Sequence, residues 1–131
     1  MWYYKNGKLF VDTDVTTGAP YHGGTPCMSV MIQNQIRNKT LVGPNYRSFV
    51  KYWMGLNGGY GIHDASWRKV YGGEEYIHNG SHGCINTPLE KVIEIFENIE
   101  VGTPVFIYSL KENSLDNLEE LRKPENKKVL K

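Results

Sequence analysis

The sequence predicts a mainly β, β-sandwich-like domain with one α-helix packed on it. Short apolar runs separated by Gly, Pro and Asn turns fill the first half of the chain, and one amphipathic helix signal stands out in the second. A chain of 131 residues fits one domain with one core. Such a chain buries roughly two-thirds of the surface its unfolded form exposes, so it needs neither a metal nor a disulfide framework to fold.

In chain order, Trp2 to Val11 reads as a β-hairpin around Asn6-Gly7, the pair that best tolerates the positive φ angles of a type I′ turn. Gly18 to Pro26 is a loop. Val30–Asn34 and Thr40–Val42 read as short strands, followed by a turn at Gly43-Pro44-Asn45. Phe49–Leu56 is a further strand, ended by Asn57-Gly58-Gly59, and Tyr60–His63 another. Ala65 to Gly80 reads as irregular. Thr87-Pro88-Leu89-Glu90 has the pattern of a capping box with Pro at the first helical position. Leu89, Val92, Ile93 and Phe96 then give the helix an apolar face, and Val101-Gly102-Thr103-Pro104 ends it. Val105–Leu110 is the final strand. Beyond it the composition turns polar: Ser114–Leu121 predicts a short helix and Lys123–Lys131 a solvated tail.

Fifteen basic against 14 acidic residues leave a net charge of +1, which gives no electrostatic case for a nucleic-acid or anionic-membrane partner. No apolar run approaches the ~20 residues that span a bilayer. Nor is a signal peptide visible, although a leader or anchor removed from an upstream segment would leave the same chain. The two cysteines, Cys27 and Cys84, lack C-x-x-C spacing and are too few for a disulfide scaffold. The plain structural alternative for both is a thiol buried as a small hydrophobe.

The chemistry concentrates in Gly61-Ile62-His63-Asp64 and Ser81-His82-Gly83-Cys84-Ile85-Asn86. A thiol is mostly protonated at neutral pH, so a nucleophilic Cys84 needs a base or a field that favours the thiolate. The helix signal starts just downstream, where a macrodipole would favour negative charge. Gly83 leaves the backbone open, so its N–H and that of Cys84 could point together at an oxyanion. His82 and His63 are both candidate bases, and spacing alone does not choose between them. A turn cysteine with no catalytic role fits the same string.

His63, a spacer of seventeen residues and Ser81-His82-Gly83-Cys84-Ile85-Asn86 together resemble the signature of the L,D-transpeptidases, cysteine enzymes of bacterial peptidoglycan. Gly58 to Ala65, Thr87-Pro88, Val101 to Val105 and the opening Trp2 to Gly18 are similar to the same family, so the resemblance runs from about Trp2 to Tyr108. It implies Cys84 as nucleophile and His63 as general base and acid. Ser81 and His82 become supporting residues, the N–H groups of Gly83 and Cys84 the oxyanion hole, and Asn86 a tie for the nucleophile's loop. The implied substrates are peptidoglycan stem peptides as donor and acceptor. The implied product is a 3→3 cross-link, or a hydrolysed stem where water is the acceptor. No cofactor is implied, and carbapenem-type β-lactams are expected to acylate Cys84. Asp64 would point away from His63's face on a strand, so a backbone carbonyl is the better candidate to orient that imidazole.

The same resemblance divides the chain into a catalytic domain over residues 1–110 and a polar C-terminal extension over 111–131. The family's first strand begins before Trp2, so a longer protein of the cell wall or envelope is expected. Met28 replaces a family glycine in Thr25-Pro26-Cys27-Met28-Ser29-Val30, which would strain a loop needing positive φ. That change motivates a second reading, a non-catalytic peptidoglycan-binding module of the same fold. The family places this loop near the active site, which would bring Cys27 within disulfide reach of Cys84. Tyr46, Trp53 and Trp67 could line a groove for glycan or stem peptide; partial core burial with a polar edge outside is the plain alternative. Arg68 and Lys69 could attract a stem carboxylate, though single surface charges are common. A zinc site from His63, His82 and Cys84 has the right ligand types but lacks the tight ligand pairs of structural zinc sites. His22 and His78 read as exposed loop residues.

Overall fold

The computed structural model describes residues 1–109. Strands dominate it, in three sheets, with one main helix. Strands β1 (Trp2–Lys5) and β2 (Lys8–Asp12) form a hairpin. Its turn has Asn6 at φ 54° and Gly7 at φ 76°, the pair of left-handed conformations that Asn-Gly supplies. Strand β3 (Met28–Met31) pairs antiparallel with the last strand, β8 (Pro104–Ile107). Strands β4 (Asn34–Gly43), β5 (Tyr46–Gly55), β6 (Gly61–Asp64) and β7 (Ile85–Thr87) form the main sheet in that order, with only β6 and β7 parallel.

Helix α2 (Leu89–Asn98) packs on β2, β5 and β6, after a single five-residue turn of helix α1 (Glu75–Asn79). The core joins Tyr3 and Val11 of the hairpin, Met54, Ile62 and Ile85 of the main sheet, Val92, Ile95 and Ile99 of the helix segment and Val105 of β8. Burying each aliphatic side chain contributes roughly 1.5–3 kcal/mol. Truncating Ile95 to Ala would therefore cost about 2–5 kcal/mol once the cavity is included. Tyr3 and Lys5 fasten the hairpin to the helix end through Asn98, at 3.0 and 2.8 Å.

Several local expectations are corrected by tertiary pairing. Asn34–Lys39 has little strand propensity, yet it is strand because it pairs in register with β5, passing through Asn38 at φ 55°. The strand expected at Val30–Asn34 instead starts at Met28 and ends at Met31. Met28 is extended and pairs with Ile107, so the replaced glycine leaves no strain there. The capping box does not form: pairing with Asp64 draws Thr87 into β7, its hydroxyl turns to the Ile85 carbonyl, and Pro88 becomes the N-cap. The helix also buries a stripe rotated from the expected one. Val92 and Ile95 are inside, Phe96 is half-buried, and Leu89 is exposed at the helix start. The extension over 111–131, with its expected helix and tail, lies outside the described residues, as does the end of the expected final strand.

Candidate active site

Alternation along the main sheet sorts its residues onto two faces. Met54, Ile62 and Ile85 are neighbours across β5, β6 and β7 and face the core. Trp53, His63 and Asn86 are register partners on the opposite face. Cys84 precedes β7 by one residue, so the parallel register sets it level with Gly61, two positions below Asn86. Gly61 is required here, because a Cβ on it would come 2.4 Å from the Trp53 ring that lies over it. The Trp53 indole is buried, stacks on His63 at 5.7 Å and 19°, and donates to Asn34 Oδ1 at 3.1 Å.

His63 is 2% exposed, and its Nδ1 is 2.5 Å from the Asp64 carbonyl. A carbonyl only accepts, so Nδ1 carries the proton and Nε2 is left as a lone-pair acceptor. The Asp64 side chain points to the other face. Its carboxylate accepts from the Lys51 and Tyr52 backbone N–H groups at 2.8–3.0 Å, fixing β5 where its pairing with β6 ends. Burial holds the His63 pKa below its ordinary 6.5, with the Asp64 carbonyl bond and the Asp64 charge working the other way. Burial likewise pushes the half-buried Cys84 thiol up, opposed by a backbone hydrogen bond from Gly61. Both shifts favour a neutral thiol beside a neutral imidazole. The expected help from the helix dipole is absent: β7 separates Cys84 from α2 by roughly 10 Å of strand, and the field fades within one helical turn.

The segment before β7 is held from two sides. Thr16 and Asn86 exchange backbone bonds at 2.8–2.9 Å, and Ser81 bonds through its backbone to Thr17 and Ala19. Thr25, whose hydroxyl also accepts from Gly18, donates to the Gly83 carbonyl at 2.7 Å. Within the loop, the Ser81 hydroxyl donates to the Cys84 carbonyl and accepts from the Gly83 N–H at 3.1 Å. Gly83 itself has φ 138°, and a Cβ there would meet the Tyr60 ring at 2.8 Å.

These contacts bear on two expected roles. The Gly83 N–H is already engaged by Ser81, which leaves the Cys84 N–H as the freer of the two backbone donors. Asn86 ties the loop through its backbone only; its side-chain Oδ1 is buried without a partner. The parts that Thr25, Gly61 and the Thr16–Ala19 segment play were not legible in their residue types, since each acts through contacts distant in sequence.

A cleft of about 240 Å³ holds Cys84, His63 and Asn86 together with Tyr46, Trp67, Arg68, Ser81 and His82. A second, of about 630 Å³, shares Leu41, Tyr46 and Cys84 with it and is otherwise lined by Trp53, Tyr60 and β4. Most of the sequence-predicted site residues therefore gather around one sulfur, with Trp53 on the second side; Lys69 is exposed and lines neither cleft. His82 is exposed and stacks between Tyr46 and His22, at 4.5 and 4.3 Å. His78 is exposed on α1. Among the described residues, no group of three His, Cys, Asp or Glu side chains is placed to hold a metal. Cys27 is exposed and lines neither cleft, and both cysteines are free.

A family model described as the L,D-transpeptidase catalytic domain matches residues 1–107. Comparison with curated proteins returns no match. Among solved structures, the chain is similar to a C442S mutant of the Enterococcus faecium L,D-transpeptidase, at 42% identity and TM-score 0.78 over 82% of this chain and 44% of that one. It is similar to the E. faecium catalytic domain acylated by ertapenem, at 42% identity and TM-score 0.73, covering 82% of this chain and 87% of that one. An L,D-transpeptidase from Stackebrandtia nassauensis matches at 25% identity and TM-score 0.65, over 85% of this chain and 51% of that one. The chain thus spans about half the length of the longer structures it matches.

Proposed function

The chain belongs to the family of L,D-transpeptidase catalytic domains, and we propose that it cross-links peptidoglycan stem peptides through a thioester on Cys84. The observation that carries this reading is the shared cleft of Cys84 and His63, with Nδ1 of His63 fixed by the Asp64 carbonyl. In the donor step the sulfur attacks the carbonyl of the third stem residue while Nε2 of His63 takes the thiol proton. Negative charge develops on the substrate oxygen beside the Cys84 N–H. Collapse breaks the peptide bond; His63 returns the proton to the leaving amine, and the terminal D-Ala departs. In the acceptor step an amine from a second stem attacks the thioester, His63 takes its proton, and the thiol is restored. A 3→3 cross-link is formed; water in the same position gives a carboxypeptidase product.

Two clefts that both include Cys84 suit a reaction with separate donor and acceptor approaches. The acylation of the E. faecium enzyme by ertapenem supports carbapenem-type β-lactams as acylating inhibitors of this chain. Peptidoglycan as substrate puts the reaction in the cell wall or envelope. The non-catalytic alternative loses its motive, since Met28 sits in an unstrained strand. Mass spectrometry after incubation with a carbapenem tests the reading. The expected result is one adduct on Cys84, abolished in Cys84→Ala together with D-Ala release from a tetrapeptide. A folded wild-type protein that gains no mass and releases no D-Ala would overturn it.

A further inference from the structure

Past β6, the chain turns back through a bond from the Arg68 N–H to the Ala65 carbonyl, and the Arg68 side chain runs into the wall of the catalytic cleft. That side chain is 5% exposed. A guanidinium has five N–H donors. Here one nitrogen, Nη1, donates to the Asn79 carbonyl at 2.6 Å. The carboxylate of Glu75 is 3.6 Å from the same nitrogen, and the same oxygen already accepts from the Asn79 amide at 2.9 Å. Nε is buried with no partner among the described residues. A buried cation so sparsely bonded is undercompensated, and the group that matches its planar edge is a carboxylate.

Charge around the two clefts that Arg68 touches points the same way. The neighbouring cleft also holds Lys51, Asp64 and Glu90, so its charges balance. Arg68 is the sole Lys or Arg among the residues that line the catalytic cleft, and no Asp or Glu is among them, Glu75 meeting Arg68 only at Nη1. His63 must sit at the leaving amine to return its proton, and a C-terminal leaving residue carries its carboxylate one carbon away from that amine.

We propose that Arg68 is a specificity-determining residue that selects donor stem peptides with a free carboxylate on the leaving residue, an inference that rests on the transpeptidase reading above. The test measures kcat/KM for release of the terminal residue from three tetrapeptides: one with all carboxylates free, one amidated only at the C-terminus, and one amidated only at its other carboxylates. In wild type, C-terminal amidation is expected to lower kcat/KM roughly ten- to hundredfold, the span of a hydrogen bond to a charged group, and amidation elsewhere is expected to leave it unchanged. Arg68→Gln should lose turnover of the acid and bring it level with the amide; Arg68→Lys should keep part of the preference. Wild type that treats acid and C-terminal amide alike overturns the proposal, even where Arg68→Gln fails to fold. So does a folded Arg68→Gln that keeps the preference, or a penalty that follows the other carboxylates. A wild type with neither turnover nor carbapenem adduct overturns the transpeptidase reading itself, and this inference with it.

Discussion

Replacing Ser81 by Ala removes one oxygen and orphans two backbone groups. The hydroxyl, in a residue 8% exposed, donates to the Cys84 carbonyl and accepts from the Gly83 N–H. Leaving a buried polar group unpaired costs about 1–3 kcal/mol, so the two together should cost about 2–4 kcal/mol once partial rehydration is allowed for. Alanine fills nearly the same space, so no cavity term adds to this. The remaining ties, from Thr25 to Gly83 and from Thr17 and Ala19 to Ser81, keep the loop near its place in the folded state. At about 4 °C per kcal/mol, where the ranges for smaller and larger domains meet, the unfolding midpoint should fall by roughly 8–16 °C. Thermal unfolding followed by far-ultraviolet circular dichroism measures it, with Ser81→Thr as the control that keeps the hydroxyl and stays close to wild type. A Ser81→Ala midpoint within about 2 °C of wild type would show that water satisfies both groups and would refute the reasoning.

His63→Ala should slow carbapenem acylation by roughly 10²–10⁴-fold, the usual span of general acid–base catalysis, measured as the rate of adduct formation. Because burial lowers the His63 pKa, wild-type acylation should hold through neutral pH and fall only below 6.5; a fall already complete near neutrality would contradict the neutral pair. Folding stability should follow the same two groups. His63, kept neutral in the fold, contributes stability that is present above 6.5 and is lost as pH falls below it. Cys84, whose thiol is raised above its ordinary 9.0, contributes stability that is present below that pH and is lost above it. Urea unfolding across pH should show this plateau, and Cys84→Ala should lose the part of the alkaline decline that comes from this thiol. Gly61→Ala should displace the Trp53 ring, cost about 1–3 kcal/mol and change the near-ultraviolet dichroism; an unchanged spectrum and stability would disprove the close approach. Thiol titration of the denatured, unreduced protein should count two free thiols, since Cys27 is exposed and both cysteines are free; fewer would mean a bond the structure does not contain.

Some features of this protein are written in adjacent residues, and the sequence alone determined them. The Asn6-Gly7 turn is one, because its conformation depends only on which residues tolerate positive φ. The existence of α2 is another, since ten consecutive residues with apolar spacing specify a helix wherever it docks. The proposal of Cys84 and His63 as the reactive pair came from the family resemblance, since residue type and spacing left His82 open beside His63. Tertiary structure decided the rest. Nothing local marks Ile85–Thr87 as a strand, because three residues become β7 only by pairing parallel with β6. That pairing also took Thr87 from the helix cap and moved Cys84 beyond the reach of the helix field. His82 and His63 are the same residue type and both stand as candidate bases in the sequence. Only the fold turns one outward between Tyr46 and His22 and buries the other on the Asp64 carbonyl, because burial and hydrogen-bond partners depend on chain segments far apart in sequence.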